Sequence, residues 1–293
     1  MTAKVYFTKE LTPEKVVEMY KALGIELPGK VACKVHTGEA GNPNFIRPEF
    51  WKPVVDYVNG HVVECNTAYP GERFETAQHK KVLNDHSWDA YYDVDIMDGE
   101  GPDLEVDIPN GVQIKKNYLG KNITNYDSML VLIHFKGHGM GGFGGALKQL
   151  SIGCASAGGK TYIHSAGVSA VKGTMRETIA EQDDFLRSMA DAAGSVVEMF
   201  KGKIAYIACM KNMSVDCDCV GNALLPEIED MGIVASTDPV ALDQALMDLI
   251  KTHPNRKVNY LLDRIASRHG TLTIDTAAEI GYGTKDYELI TID

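Results

Sequence analysis

From Pro13 to Leu23 apolar residues recur at three- and four-residue intervals behind a Thr-Pro start, the spacing of an amphipathic helix that Gly24 ends. Val31 to Val35 reads as a strand, the polar run from His36 to Asn44 as its loop, and Pro48 to Tyr57 as the next helix. His61 to Cys65 repeats the pattern, with a loop over residues 66–73 and a helix from Thr76 to Leu83. Asp85 to Asn117 is less regular, with strand candidates at Asp93 to Met97 and Val112 to Lys115. Met129 to His134 is the clearest strand, and the glycine-rich turn after it leads into a short helix over Gly144 to Leu150. Met175 to Phe200 reads as helical throughout, Ile204 to Cys209 as a strand, and Asp238 to Ile250 as a helix with Asp238 as N-cap and Pro239 first inside.

This rhythm predicts an α/β fold, a mostly parallel sheet flanked by helices, with chemistry at the carboxyl ends of the strands. The 293 residues suffice for one unit over residues 1–293, or for two lobes, 1–125 and 126–293, sharing a cleft. Charge narrows the partners. Acidic residues outnumber basic ones by 40 to 29, so nucleic acid is not expected as a ligand, while a few lysines can still hold a small anion locally. The N-terminal residues lack the pattern of a secretory signal, and Met129 to Phe135 is too short to span a bilayer. A cytoplasmic protein with no membrane association is expected, its six cysteines kept as thiols.

The densest chemistry lies between His134 and Lys148. His134, Lys136 and His138 alternate and can face one side of an extended segment, and six glycines follow Lys136. Gly141, Gly142, Gly144 and Gly145 could let the backbone approach a ligand, with Lys148 adding charge from the helix beyond. The spacing fits neither a Walker motif nor a dinucleotide fingerprint. Gly158-Gly159-Lys160 with His164 repeats the theme after what reads as a second glycine turn, and Cys154 lies between the two. Cys217 and Cys219, one residue apart beside Asp216 and Asp218, can grip a soft or borderline metal, with His138 as a further ligand. Glu39 and Asn42 after one strand, with His36, and Asn66 and Thr67 after another, with Glu64, supply polar groups that could meet in the same cleft. Asp243, one turn beyond the capping Asp238, needs an internal partner if it is buried.

Five segments, VHTGEAGNPNFIRPEF (35–50), ECNTAYPGER (64–73), HFKGHGMGGFGGALKQLSIGCASAGGKTYIHS (134–165), CDC (217–219) and GIVASTDPVALDQA (232–245), together resemble the family called domain of unknown function 362. The chain looks most like the branch of uncharacterised iron–sulfur centre proteins, and the resemblance covers nearly the whole chain. It implies no settled reaction. Members of that branch usually carry a ferredoxin-like insertion after the segment matching His164; here no cysteine stands between Ser165 and Cys209, so no intrinsic cluster motif is present and electrons would need a separate redox partner. The His/Gly/Lys block is also similar, more remotely, to the N-terminal region of lactate-racemase-like proteins, which hold a nickel pincer cofactor. That similarity implies a pocket lined by His134, His138, Lys148, Lys160 and His164 in which one imidazole moves a proton.

These readings lead to a metal- or cofactor-binding protein, with zinc, iron or nickel as the metal and a small organic anion as the ligand. It would be an enzyme of redox or isomerase type, or else a carrier that hands the metal or cofactor to a partner.

Overall fold

All seven residues of the strand Ser128–His134 are buried, and their side chains divide between two cores. Met129, Val131 and Ile133 pack on one face of the sheet, Leu130 and Leu132 on the other. A strand apolar on both sides is what a parallel sheet covered by helices on both faces requires.

The computed structural model describes residues 2–293. In chain order the elements are β1 (Ala3–Thr8), α1 (Pro13–Ala22), β2 (Val31–Lys34), α2 (Pro48–Tyr57), β3 (Gly60–Glu64), α3 (Thr76–Asp85), β4 (Asp95–Ile96), β5 (Leu104–Asp107), β6 (Lys116–Leu119), β7 (Ser128–His134), β8 (Lys136–His138) and β9 (Gly142–Gly144). There follow α4 (Ala146–Cys154), α5 (Ala157–His164), α6 (Gln182–Met199), β10 (Ile204–Met210), β11 (Gly232–Ser236), α7 (Pro239–Lys251), α8 (Val258–Ser267), α9 (Leu272–Glu279) and β12 (Tyr287–Thr291). Eight strands form one sheet in the order β12-β1-β11-β10-β7-β2-β3-β4, with β5-β6 and β8-β9 as separate pairs. Within the large sheet β11 runs antiparallel to both its neighbours, and the remaining pairings are parallel. Val16 and Met19 of α1 and Trp51 and Val54 of α2 cover one face. The other is covered by α4, α6 and α7 through residues such as Leu150, Val196 and Leu246.

The expected α/β sheet flanked by helices is the fold observed. Among the described residues, no helix is long and apolar enough to cross a membrane.

Several local readings change. Val112 to Lys115 is not a strand, because the Asp191 carboxylate takes three of its four amide N–H groups, those of Val112, Gln113 and Ile114, at 2.8, 2.6 and 2.8 Å. The helix expected from Met175 to Phe200 is broken: Met175–Glu177 is a single 3-10 turn, and α6 begins at Gln182. The Ala180 amide between them is turned to the carbonyl of His164, which ties this segment to α5 instead of to a helix. Gly158 and Gly159 are not a turn but the first residues of α5, whose N-cap Ser156 accepts from the Gly159 amide at 2.9 Å. Glycine is needed there because a Cβ at Gly159 would run into the Tyr118 carbonyl. The helix after the glycine-rich turn begins at Ala146 and runs to Cys154. The strands β1, β11 and β12 and the helices α8 and α9 are further elements that the hydrophobic pattern did not disclose.

Chain order reverses between β2 and β7: β3 and β4 extend the sheet to one side of β2, whereas β7 and β10 lie on the other. The loops leaving β2 and β7 therefore diverge, and in open α/β sheets such a switch point opens a crevice beyond the carboxyl ends of the strands.

Candidate functional site

The loop after β10 carries Cys217 and Cys219, and the buried Asp218 between them is its anchor. His134, the last residue of β7, brings Nδ1 to 2.9 Å of Asp218 Oδ2, and Lys136 of β8 brings Nζ to 2.8 Å. The second ring nitrogen of His134 donates to the Lys211 carbonyl at 2.7 Å, and the Asp218 carbonyl accepts from the Glu39 amide at 2.8 Å. Burial opposes charge on Asp218, but His134 and Lys136 outweigh it and hold the carboxyl below its ordinary range. The two residues expected to do chemistry are thus spent on fixing the cysteine loop.

With Asp218 held, the ligand atoms of Cys217, Cys219 and His138 lie within 4.8 Å of one another. Donors around a tetrahedral zinc ion sit about 3.7 Å apart with sulfur bonds of ~2.3 Å, so a modest contraction would let the three grip an ion. Three protein ligands with one open position is the arrangement of catalytic metal sites. The hydrogen bond from Cys219 holds the Cys217 thiol well below its ordinary value, with Lys148 and His138 helping against burial; the same bond and burial push Cys219 up. His138 Nδ1 accepts the amide of Gly141 at 2.8 Å and that of Met140 at 3.3 Å, and His36 Nδ1 accepts the Gly38 amide at 3.1 Å. In a neutral ring so bonded the proton sits on Nε2, so His138 can ligate an ion only once its Nδ1 releases these amides and takes the proton. Burial lowers both imidazoles, His36 to about 4.

These groups border a cavity of about 330 Å³. This is the small end of ligand pockets, suited to a compact molecule and not to a dinucleotide. Several of its charges are already matched. Lys34 meets Glu64 at 2.7 Å, and Arg73 lies 3.3 Å from Glu39 and 3.7 Å from Glu64. Burial works against the Glu64 charge, but Lys34, His36, Arg73 and His79 together keep its carboxyl below the usual range. Two lining lysines have no carboxylate partner among the described residues: the Lys148 side chain makes no ion pair or hydrogen bond, and the Lys160 ammonium donates only to the Ala155 carbonyl, at 2.7 Å. His164, also in the lining, donates from Nδ1 to the Lys160 carbonyl at 2.6 Å, which leaves Nε2 as an acceptor; burial lowers this imidazole to about 4.

Of the residues singled out from sequence, His36, Glu64, Thr67, His138, Lys148, Lys160, His164, Asp216, Cys217 and Cys219 meet at the cavity, while His134 and Lys136 stand behind it. Glu39 reaches it only through Arg73 and Tyr69. Asn42 accepts two amides of its own loop and donates to the Val220 carbonyl at 2.7 Å, and Asn66 bonds Thr76 and His79, so both brace loops. The glycines do not form the expected cradle. The Gly141 amide is taken by His138, Gly142 and Gly144 pair with β8, and Gly145 leaves room for the Asp243 carboxylate, which accepts from Ala146 and Leu147 at 2.6 and 3.0 Å. That capping is the internal partner Asp243 required. Cys154 is buried, its thiol pushed up to about 11 by burial, and it lies outside the cavity lining. Sequence reasoning missed Lys34, Arg73 and Gln149. Lys34 alone carried a signal, a charge at the end of an otherwise apolar strand.

The family model for Domain of unknown function (DUF362) matches residues 31–248, which include every residue of this cavity. No curated protein matches the sequence. Among solved structures, a protein from Thermotoga maritima aligns with 10% identity and a TM-score of 0.41, over 92% of this chain and 60% of its own. The lactate racemase apoprotein from Thermoanaerobacterium thermosaccharolyticum aligns with 14% identity and a TM-score of 0.36, over 69% of this chain and 50% of its own. The chain thus spans three fifths and half of the lengths of these two structures. By the extent of the family match, the chain belongs to the domain of unknown function 362 family.

Proposed function

We propose that this protein is an enzyme that holds a zinc, iron or nickel ion on Cys217, Cys219 and His138 and takes a small organic anion into the adjoining cavity. The observation that carries the reading is the convergence of two thiols and an imidazole within 4.8 Å on the wall of a cavity that also contains two lysines without carboxylate partners. A carrier needs the ligands but not the cavity, so the cavity favours an enzyme. The ion would supply Lewis acidity or a redox couple. His164 Nε2 is the unprotonated nitrogen available to accept a proton or a hydrogen bond from the bound molecule. Redox or isomerase-type chemistry is consistent with this set. The test is metal analysis of protein purified without oxygen. One equivalent in the wild type, lost in the Cys217→Ser, Cys219→Ser variant, is expected; a wild type free of metal, and unable to take up zinc, iron or nickel, sinks the reading.

A second reading is favoured by one observation. The amides on Nδ1 of His36 and His138 leave Nε2–H groups as donors at Cys217, an arrangement suited to a metal-free thiolate nucleophile. Alkylation separates the two. If the first is right, zinc protects Cys217 from iodoacetamide; if the second, zinc leaves the alkylation rate unchanged.

A further inference from the structure

Three of the six cysteines, Cys65, Cys217 and Cys219, line the cavity, and the Cys65 thiol is already engaged, donating to the Cys154 carbonyl at 3.6 Å. Cys217 and Cys219 remain as a pair. Residues 217–220 form a turn closed by the Val220 amide on the Cys217 carbonyl at 3.0 Å. Such a turn keeps its first and third Cα atoms within the ~4.4–6.8 Å that a disulfide spans. Asp218 between them is drawn away from the cavity by His134 and Lys136, and its carbonyl is held by the Glu39 amide, so the sulfurs on either side both face the cavity, within 4.8 Å of each other. Their surroundings differ. Cys217 Sγ accepts the Cys219 amide at 3.4 Å and hydrogen bonds from the rings of His36 and His138, whereas the Cys219 thiol is a donor to Cys217.

We infer that Cys217 and Cys219 are an oxidation site for small hydroperoxides, at which the peroxide is reduced and the pair closes to a disulfide within the turn. The inference rests on reading the two thiols as facing a cavity open to small molecules, and it adds a redox control of that same site. Cys217, with N–H donors gathered on its sulfur, is the attacking group, and Cys219 is the resolving one. In the first step the Cys217 sulfur bonds to the terminal oxygen of the hydroperoxide, the O–O bond breaks, and the departing alkoxide or hydroxide takes the proton that the thiol gave up. In the second the Cys219 sulfur bonds to the Cys217 sulfur, the S–O bond of the sulfenic acid breaks, and its hydroxide leaves as water with the Cys219 proton. Two thiols are thus oxidised by two electrons while one hydroperoxide becomes one alcohol, or water, and one water. A space of about 330 Å³ admits hydrogen peroxide or a short alkyl hydroperoxide but not the disulfide of another protein. Closing the disulfide removes two of the three groups proposed to hold the ion.

The experiment treats the reduced protein, with a chelator present, with an equimolar amount of hydrogen peroxide, quenches with iodoacetamide, and reads the peptide carrying both cysteines by mass spectrometry. The wild-type peptide should be two hydrogens lighter and unalkylated, and should take two labels once dithiothreitol has acted. In Cys219→Ser, dimedone should trap the sulfenic acid on Cys217. In Cys217→Ser, Cys219 should be oxidised about tenfold more slowly or less, for want of the donors that surround Cys217. The wild-type peptide alone decides the matter should either variant fail to fold. A wild type alkylated at both positions, a bond from either cysteine to a third, or a folded Cys217→Ser in which Cys219 is oxidised as fast overturns the inference. Uptake of zinc, iron and nickel by the reduced protein separates the two claims. A disulfide in protein that takes up none of them sinks the metal reading alone, whereas metal uptake without a disulfide in the chelated protein sinks the oxidation site alone. Where both hold, peroxide should release the ion.

Discussion

Asp243 sits fully buried beneath α4, where its two oxygens accept the first amides of the helix that carries Lys148 and Gln149. The space it fills is bought by glycine, since a Cβ at Gly145 would run into the carboxylate. Burial lifts this carboxyl to about 7, whereas in the unfolded chain it titrates near ~3.9. Between those values the folded protein holds a proton that the unfolded one has lost. The contribution to stability is therefore complete below about pH 4 and is lost as pH rises through 7. Urea denaturation across that range should show stability falling with pH for this group, and a flatter profile in Asp243→Asn. An equal slope in both proteins would assign the pH dependence elsewhere. The aspartate was visible in the sequence as a residue in need of a partner, but the partner lies almost a hundred positions away, and helical spacing carries no information about it.

At the scale of elements, β8 shows why some of the site was legible and its roles were not. Alternation correctly put His134, Lys136 and His138 on one extended segment, yet His134 and Lys136 turn to Asp218 while His138 turns to the cysteines, because the hairpin β8-β9 folds back after only three residues. Gly137 is the hinge of that arrangement. Its amide donates to the Ser214 carbonyl at 2.7 Å, and a Cβ there would run into the carbonyl of Val215, at the start of the cysteine loop. Gly139, two residues on, has open space around it and serves as a control. Gly137→Ala should cost about 1–3 kcal/mol in urea denaturation and reduce bound metal by moving Cys217 and Cys219. Gly139→Ala should do neither. Periodicity likewise read the buried strands and the helices α1, α2, α3 and α7 well, because each has one consistent apolar face. It failed at Val112 to Lys115, where a carboxylate on α6 captures the amides, and at α5, where paired glycines read as a turn serve instead as close packing against Tyr118.

Across the whole molecule, the cavity gathers groups from the loops after β2 and β3 and from those after β7 and β10, on either side of the switch between β2 and β7. Alternating strands and helices were enough to foresee a parallel sheet with its chemistry at the strand ends. The order of the strands was not foreseen, because it depends on pairings such as β1 with β11 and β12 that join residues from opposite ends of the chain. Position at the switch has a thermodynamic consequence. The cysteine loop is bonded to the β2 loop through Glu39 and Asn42, to β7 through His134 and to β8 through Lys136. An ion bound by Cys217, Cys219 and His138 would add a further tie between these segments, and the unfolded chain holds them too far apart to bind equally well. Ligand that binds the folded state in this way stabilises all of it, by about 2.7 kcal/mol at a free concentration a hundredfold above Kd. The urea midpoint of metal-free protein should therefore rise on adding zinc, by the same amount whether tryptophan fluorescence or far-ultraviolet dichroism follows unfolding, and the rise should vanish in Cys217→Ser, Cys219→Ser. A rise that persists in the double variant would place the ion elsewhere. A rise seen by one probe and not the other would mean that the loops respond to the ion without the sheet that carries them.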